Sequence, residues 1–527
     1  MPLILSVPVS TRPLPREIET NPKKARAWVE SLPLTKTIES AKVLAATIEA
    51  LNRGKLAAEE RAALMEVFLP VTGVLLEELD AIYAFAMLPL PPKQKEAFLL
   101  AHLISTELSY AYKMLVLEKT SKLITFGMKK ALLVPIYRIL VNQLALMMQS
   151  YKTYHPVHVG VWQEVNALYL FAEEQGFHKD VADAESKASI ADIFDEMLML
   201  SLADPYRLMY REVDRVIALL RQHRGLIEFR TSTEGIDPAR AFVVAFDADS
   251  APKPLVQGNR APLGNVLRLV DPTKLVEKLQ QKLKTASNSA SSASVAKSRA
   301  THDLNDLIGR LIRLWGDPPK RQFRRNAADT GVALCAGIKA ISYFAELATT
   351  ETPEADAEAI REGRTIPLLK IPQDPMSQLI GVEEWQVLNQ SANGLRMHRS
   401  QGGSVGVTVG EAIGVRFVGG SAWNLGVVRW LTLLEGNALE FGMELLSPAG
   451  YAVTVEPTIG SNGRAIQALL LASTHPELPP DTVMSVTDTF ADLREFSLND
   501  HGELSTVRAT TLIERTSKFD LFQFQPS

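Results

Sequence analysis

Cysteine is nearly absent from this chain: Cys335 is the single one in 527 residues. That excludes an intramolecular disulfide and fits a reducing compartment. It also excludes a zinc site built from several thiolates. Cys335 lies in an apolar, strand-like run, which predicts a buried structural side chain rather than a reactive one. An excess of positive charge is missing too. Lys and Arg number 56 against 60 Asp and Glu, a net charge of -4. The chain as a whole is therefore not built to coat nucleic acid, and any anion site is local. The first residues, "MPLILSVPVSTRPLPREIET", have no basic n-region and no long apolar h-region. No signal peptide is expected, and the expected location is cytoplasmic. The most membrane-like stretch, "ALLVPIYRILVNQLALMM" from Ala131 to Met148, is interrupted by Pro135, Arg138, Asn142 and Gln143. It predicts a buried helix and no membrane span.

Catalytic signatures are scarce as well. The sequence holds no Gly-x-Ser-x-Gly, no His-Glu-x-x-His and no kinase set, so no enzyme is expected. "GGSVGVTVG" lacks the Gly-Lys-Ser/Thr ending of a phosphate loop and reads as a hairpin turn. His155 and His158 in "YHPVH" have no neighbouring Cys and no third ligand. No metal and no cofactor are expected.

What is present divides the chain. Its length calls for more than one domain. "TNPKKARAWVESL" places Asn21 as an N-cap with Pro22 at the first helical position. Asp204 with Pro205, and Asp271 with Pro272, repeat the device. Apolar residues at three- and four-residue spacing fill the segments between, so residues 1–222 are expected to form an all-α bundle. The runs "GLIEFRTS", "ARAFVVAFD" and "GNVLRLVD" read as short strands in a small mixed connector over 223–284. "TASNSASSASVAKSRA", 285–300, is rich in Ser and Ala without apolar period and reads as a linker. From Asp329 the chain turns β-rich. "TGVALCAGIKAISYFA", "WQVLNQ", "GLRMHRS", "VTVGEAIGVRFV", "NLGVVRWLTLL" and "LEFGMELLSP" read as successive strands of a barrel over 301–448. The acidic, proline-bearing segment from Glu346 to Met376 reads as an insertion after the first strand. Further strand-like runs over 449–527 predict an additional β-rich subdomain. The expected fold class is multidomain α+β.

The basic stretch "KRQFRRNAADTGVALCAG" places Arg321 and Arg325 four residues apart, with Arg324 between them, just ahead of a strand. Guanidinium forks hold phosphates bidentately, fit the O6 and N7 edge of guanine, and stack on purines. Alone, such a run is usually a solvated face. The next strand-like stretch carries "NQSANG", in which Asn389, Ser391 and Gly394 form Asn-x-Ser-x-x-Gly. Its amide and hydroxyl suit a base edge. Its glycine permits a turn or a close approach that a Cβ would block. Alone, this also reads as a hairpin corner.

Together the two stretches resemble the PilZ domain, a family of bacterial cyclic di-GMP receptors, over about 318–448. The resemblance implies a six-stranded barrel with an Arg-x-x-x-Arg arm at its entrance. It also implies that Arg321 and Arg325 hold phosphates and guanine edges, and that Asn389 and Ser391 contact a guanine. Gly394 would bend the motif toward the ligand, and Arg324 would add charge or a stacking surface. "GVRF", "LGVVRWLTLL" and "LEFGMELLSP" look like the later strands of that family. The departure from the pattern is the insertion, whose carboxylates would compete for the arginines. The function so implied is a cytoplasmic effector that rearranges its domains on binding and controls motility, polysaccharide or biofilm formation. It would meet a protein partner through the helical region. The alternative is a structural or interaction protein with a degenerate, non-binding barrel. Nucleic-acid binding through the arm is disfavoured by the acidic balance and by the lack of interleaved aromatics.

Overall fold

A computed structural model describes residues 3–84, 86–121, 128–209, 211–255, 266–288, 295–317, 326–350, 381–400, 403, 405–418, 420, 422–459, 464–472 and 482–527. The chain is multidomain α+β and divides into two compact units. The first is Met1–Ala86 with Leu90–Lys320, and the second is Met87–Pro89 with Arg321–Ser527.

The first unit begins with helices α1 (Pro22–Glu30), α2 (Thr37–Arg53), α3 (Ala58–Tyr83), α4 (Pro92–Ser121), α5 (Met128–Lys152) and α6 (Val161–Glu174). Asn21 caps α1 as expected, its side-chain oxygen accepting from the backbone N–H of Lys23 and Lys24. The long helices α3, α4 and α5 pack side by side around Phe68, Leu108, Ile136 and Leu140. Polar groups tie α2 to α4 and α4 to α5. Asn52 donates to the Glu107 carbonyl at 2.7 Å, and Gln149 donates to Ser105 Oγ at 3.0 Å. The apolar stretch of α5 is long enough to cross a membrane by length and composition, yet most of it is buried inside this unit. The histidine pair lies near the end of α5. His155 stacks on Phe98 with ring centroids 4.7 Å apart, and burial lowers its pKa to about 4.

A small ribbon of β1 (Val181–Asp183) and β2 (Ala188–Ser189) precedes α7 (Ile190–Leu202) and α8 (Glu212–Gln222). Here a sequence expectation fails. Asp204 makes no cap hydrogen bond, Pro205–Arg207 is a single 3-10 turn, and α8 begins five residues later. Next come β3 (Glu228–Arg230), β4 (Phe242–Ala245), β5 (Lys253–Pro254) and β6 (Leu267–Asp271), a sheet in the order β3-β6-β4-β5. Asp271 accepts from Thr273 N–H at the start of α9 (Thr273–Asn288). The segment expected as a connector, 223–284, packs into the bundle's own core. Tyr169 and Phe194 of the bundle stack at 4.1 Å, and Phe229 and Phe246 from the sheet region lie against Tyr169 at 5.5 and 5.7 Å. Aromatic contacts of this kind join layers by area and by ring geometry. The expected linker, 285–300, is helical where it is described: α9 runs to Asn288 and α10 (Val295–Gly316) starts before its end. Residues 289–294 lie outside the described residues. Trp315 of α10 is fully buried and donates to the Met199 carbonyl.

The second unit contains two closed barrels. The first comprises β7 (Asn326–Ala336), β8 (Glu383–Ser391), β9 (Gly394–Arg399), β10 (Ala412–Phe417), β11 (Asn424–Leu433) and β12 (Leu439–Ser447). Its strands close in the order β10-β11-β12-β9-β8-β7, all antiparallel where paired. The stretch read as one strand, "TGVALCAGIKAISYFA", is a strand and a helix. β7 ends at Ala336, Gly337 takes a positive φ of 88°, and α11 (Ile338–Thr350) follows. Apolar residues at helical spacing, Ile338, Ile341, Phe344 and Ala345, explain the change. They need a second surface, and the C-terminal barrel supplies it. Residues 351–380, most of the acidic insertion, lie outside the described residues.

The second barrel comprises β13 (Gly450–Pro457), β14 (Ile466–Leu471), β15 (Thr482–Val486), β16 (Glu495–Asp500), β17 (Glu503–Arg515) and β18 (Phe519–Pro526), closed as β13-β14-β15-β18-β17-β16. The further β-rich subdomain is therefore a closed barrel. One apolar cluster unites α11 and the outer face of the first barrel (Ala333, Ala412, Leu425, Val427) with Leu469, Leu471, Met484, Phe519 and Leu521 of the second. Cys335 lies in this cluster, fully buried, and burial pushes its thiol pKa up. Arg429 joins the barrels, paired with Glu444 of its own barrel and Glu514 of the other.

Candidate functional site

The Asn-x-Ser-x-x-Gly motif forms the hairpin between β8 and β9. Ser391 and Gly394 are paired across it, and Ser391 Oγ donates to the Gly394 carbonyl at 3.4 Å. Gly394 sits in a tight space. A Cβ there would lie 3.2 Å from the Met443 carbonyl oxygen and 3.4 Å from Ser391 Oγ, and its φ is not in the left-handed region. Its role is close approach of the hairpin to β12 rather than a strained turn.

A regular strand would turn Asn389 to the barrel interior, because alternate residues share a face. Trp385 and Val387, four and two residues earlier, are buried inside. A bulge corrects this. Val387 pairs with Met397, whereas Asn389 pairs with Arg396, so Leu388 is an extra residue in β8. A matching shift in β7 lies between Ala327 and Thr330. Bulges re-aim side chains. Here Asn389 and Ser391 come to the partly exposed outer face, while Leu395 and Met397 remain inside.

Arg321, Arg324 and Arg325 lie outside the described residues. The chain is described again from Asn326, the residue after Arg325. Asn326 pairs with Gln390 and Ala327 pairs with Asn389. Asn326, which follows the basic stretch, and the hairpin motif, more than sixty positions apart in the sequence, thus meet at the same corner of the barrel.

Strand pairing also finds residues that the sequence alone did not single out. Asn389 pairs with Arg396, Arg396 with Gly442, and Gly442 with Trp430. Residues directly opposite each other share a face, with Cβ atoms about 5 Å apart. The row Asn389–Arg396–Gly442–Trp430 therefore crosses four strands on the outer face. A Cβ on Gly442 would lie 1.8 Å from Trp430 Nε1, so the indole rests on bare backbone. Trp430 is half-buried. The row offers an amide, a guanidinium and an aromatic face, the three groups that bind a base and its phosphate. The signals in the sequence were a glycine and a tryptophan in different strands, linked only by the barrel's order. Among the described residues, no group of His, Cys, Asp and Glu is arranged to hold a metal ion.

Three family models match the chain in succession. They are the N-terminal domain of the cyclic-di-GMP receptor FimW over 23–233, its middle PilZ domain over 241–354 and 372–451, and its C-terminal β-barrel domain over 451–527. The middle model passes over 355–371, inside the acidic segment. Among curated proteins, the cyclic-di-GMP receptor FimW of Pseudomonas aeruginosa is 22% identical to this chain, across 99% of this chain and 93% of the relative.

Proposed function

This chain belongs to the PilZ-domain family of cyclic di-GMP receptors, and from that premise we propose that it binds cyclic di-GMP on the outer face of its first barrel. The ligand carries two phosphates and two guanines. Arg321 and Arg325 hold phosphates and guanine edges by bidentate hydrogen bonds. Arg324 adds charge or a stacking surface. Asn389 and Ser391 bind a guanine edge, with the hairpin seated close by virtue of Gly394. Trp430 provides a face on which a base stacks. The observation that carries this reading is the pairing of Asn326 and Ala327 with Gln390 and Asn389. It puts Asn326, the residue that follows Arg325 in the sequence, beside the motif.

The protein acts as a non-enzymatic effector in this reading. Ligand binding changes the arrangement of the domains, which requires that the arrangements differ in affinity. The helical region meets a protein partner in the cytoplasm, and the output is control of motility, polysaccharide or biofilm formation. Titration calorimetry with cyclic di-GMP tests the site. Wild type binds saturably, and Arg325→Ala weakens binding by about a hundredfold, the upper range for losing a charge-assisted bidentate contact. No binding by wild type would reject the receptor reading in favour of a structural barrel.

A further inference from the structure

The outer row contains a cation that neither arginine-rich arm nor hairpin motif includes. Arg396 follows Gly394 by two positions and stands directly between Asn389 on β8 and Gly442 on β12. Beyond Gly442 lies Trp430. The guanidinium is thus at the middle of the face on which the proposed ligand lies.

Its present partner is Glu440. Arg396 Nε donates to Glu440 Oε2 at 3.1 Å, and Nη2 donates to the same oxygen. Two donors on one oxygen leave Nη1 without a partner among the described residues. The side chain of Arg396 is 39% exposed and that of Glu440 12%. The carboxylate is therefore the deeper member, set against the barrel wall, and the guanidinium stands above it toward solvent. The neighbour of Glu440 across the ladder is His398, whose Nδ1 lies 3.4 Å from Oε1. A partly exposed ion pair of this kind holds its arginine weakly. A phosphate carries more acceptor oxygens than this carboxylate offers here, and it would engage the fork bidentately.

We propose that Arg396 is a further ligand-binding residue, taking a phosphate between the base held at Asn389 and the face of Trp430, and that Glu440 sets the affinity by competing for it. This rests on the cyclic di-GMP reading above. The pair does two things at once. It orients the guanidinium before binding, and it taxes every anion that arrives with the loss of Glu440. A ligand with one phosphate gains little from such an exchange, whereas one that also places bases on Asn389 and Trp430 recovers the loss.

Titration calorimetry with cyclic di-GMP on the full chain tests the proposal, using wild type, Arg325→Ala, Arg396→Ala, Glu440→Gln and the Arg396→Ala/Glu440→Gln double variant. Arg396→Ala is expected to weaken binding about tenfold, and Glu440→Gln to tighten it about threefold, as a charge-assisted contact is lost or its competitor removed. The double variant should bind like Arg396→Ala, because Glu440 acts only through Arg396. Wild-type affinity in Arg396→Ala, with Arg325→Ala impaired, overturns this proposal and leaves the receptor reading standing. If wild type itself fails to bind, the receptor reading falls and this proposal with it. Should Arg396→Ala unfold, Glu440→Gln keeps the fork intact, and its failure to tighten binding is then the overturning result.

Discussion

The two barrels of the second unit have one topology. Numbering the six strands of each in chain order, the first pairs with the second, the second with the third, the third with the sixth, the sixth with the fifth, the fifth with the fourth, and the fourth with the first. Yet only the first barrel carries the proposed site. The reasons are local. β7 is preceded by the arginine stretch, while β13 follows β12 after only Pro448 and Ala449, which leaves no room for an arm. The connection between the second and third strands is "SANG" in the first barrel and "ASTHPELPPD" in the second, without the Asn-x-Ser-x-x-Gly pattern. The second strand of the first barrel is bulged at Leu388, whereas β14 pairs with both neighbours in unbroken register. In the proposed reading the same closed sheet serves once as a binding platform and once as a partner that covers α11. Topology supplies a rigid surface, and an arm, a bulge and a two-residue turn make it a site.

The largest expected effects separate the two roles. Trp385 is 2% exposed inside the first barrel, edge-on to Phe441 with centroids 5.0 Å apart. Phe496 is fully buried inside the second and stacks on Phe522 at 5.9 Å. Trp385→Ala and Phe496→Ala should each cost about 3–5 kcal/mol in denaturant unfolding, since each leaves a cavity that barrel walls close poorly. They should differ in binding. Trp385→Ala removes the support beneath Val387 and Asn389, so cyclic di-GMP affinity falls with stability. Phe496→Ala leaves the affinity of the folded fraction unchanged. Equal losses of affinity in both variants would break the division of labour.

A smaller effect sharpens how far the platform extends. Trp430→Ala is expected to weaken binding by about 1–3 kcal/mol, the usual cost of one lost base–aromatic stack. Gly442→Ala keeps the tryptophan but displaces its indole from the backbone. It should cost about 1 kcal/mol of stability through local overpacking, with a part of the affinity lost as well. Calorimetry on the two variants decides the matter: unaltered affinity in both would confine the ligand to the arm and hairpin.

Much of this organisation was legible in the sequence, and what was not depends on register. Asn21 could be read as a cap because capping uses neighbours in the chain. The barrel strands could be read from alternation and turn residues, and the motif residues from their spacing. The 338–350 helix reads as strand by content, being rich in β-branched and aromatic residues such as Ile338, Ile341, Tyr343 and Phe344. The three-residue spacing of Ile338, Ile341 and Phe344 is helical, and the left-handed Gly337 and the second barrel's cover agree with it. The bulge at Leu388 leaves no mark in composition, since it exists only relative to β7 and β9. Arg396 meets Asn389 across the local β8–β9 hairpin, but Trp430 joins them only because the sixth strand sits between the third and the fifth. That adjacency is a property of the closed sheet and of no local segment.

The smallest expected effect lies at the seam between the barrels. Glu411, just before β10, is buried, accepts from Thr408 Oγ1 at 3.3 Å, and lies 3.6 Å from Lys518 Nζ at the start of β18. Burial raises its pKa above the ordinary 4.5, and the Lys518 ammonium and Thr408 hydroxyl offset only part of that. A carboxyl with a raised folded-state pKa binds its proton more tightly in the folded protein. Its contribution is fully present below the ordinary value and is lost as pH rises through the raised one. Glu411→Gln has no proton to lose, and its amide oxygen still accepts from Thr408. The variant should therefore gain stability relative to wild type as pH increases through that window, and the gain should level off above it, at less than about 1 kcal/mol because Lys518 loses its partner. Urea unfolding of both proteins at pH 4 and pH 8 measures the difference. A gain confined to low pH would mean that the Lys518 pair outweighs burial and that this ion pair holds the two barrels together. A gain confined to high pH assigns that task to the apolar cover over α11.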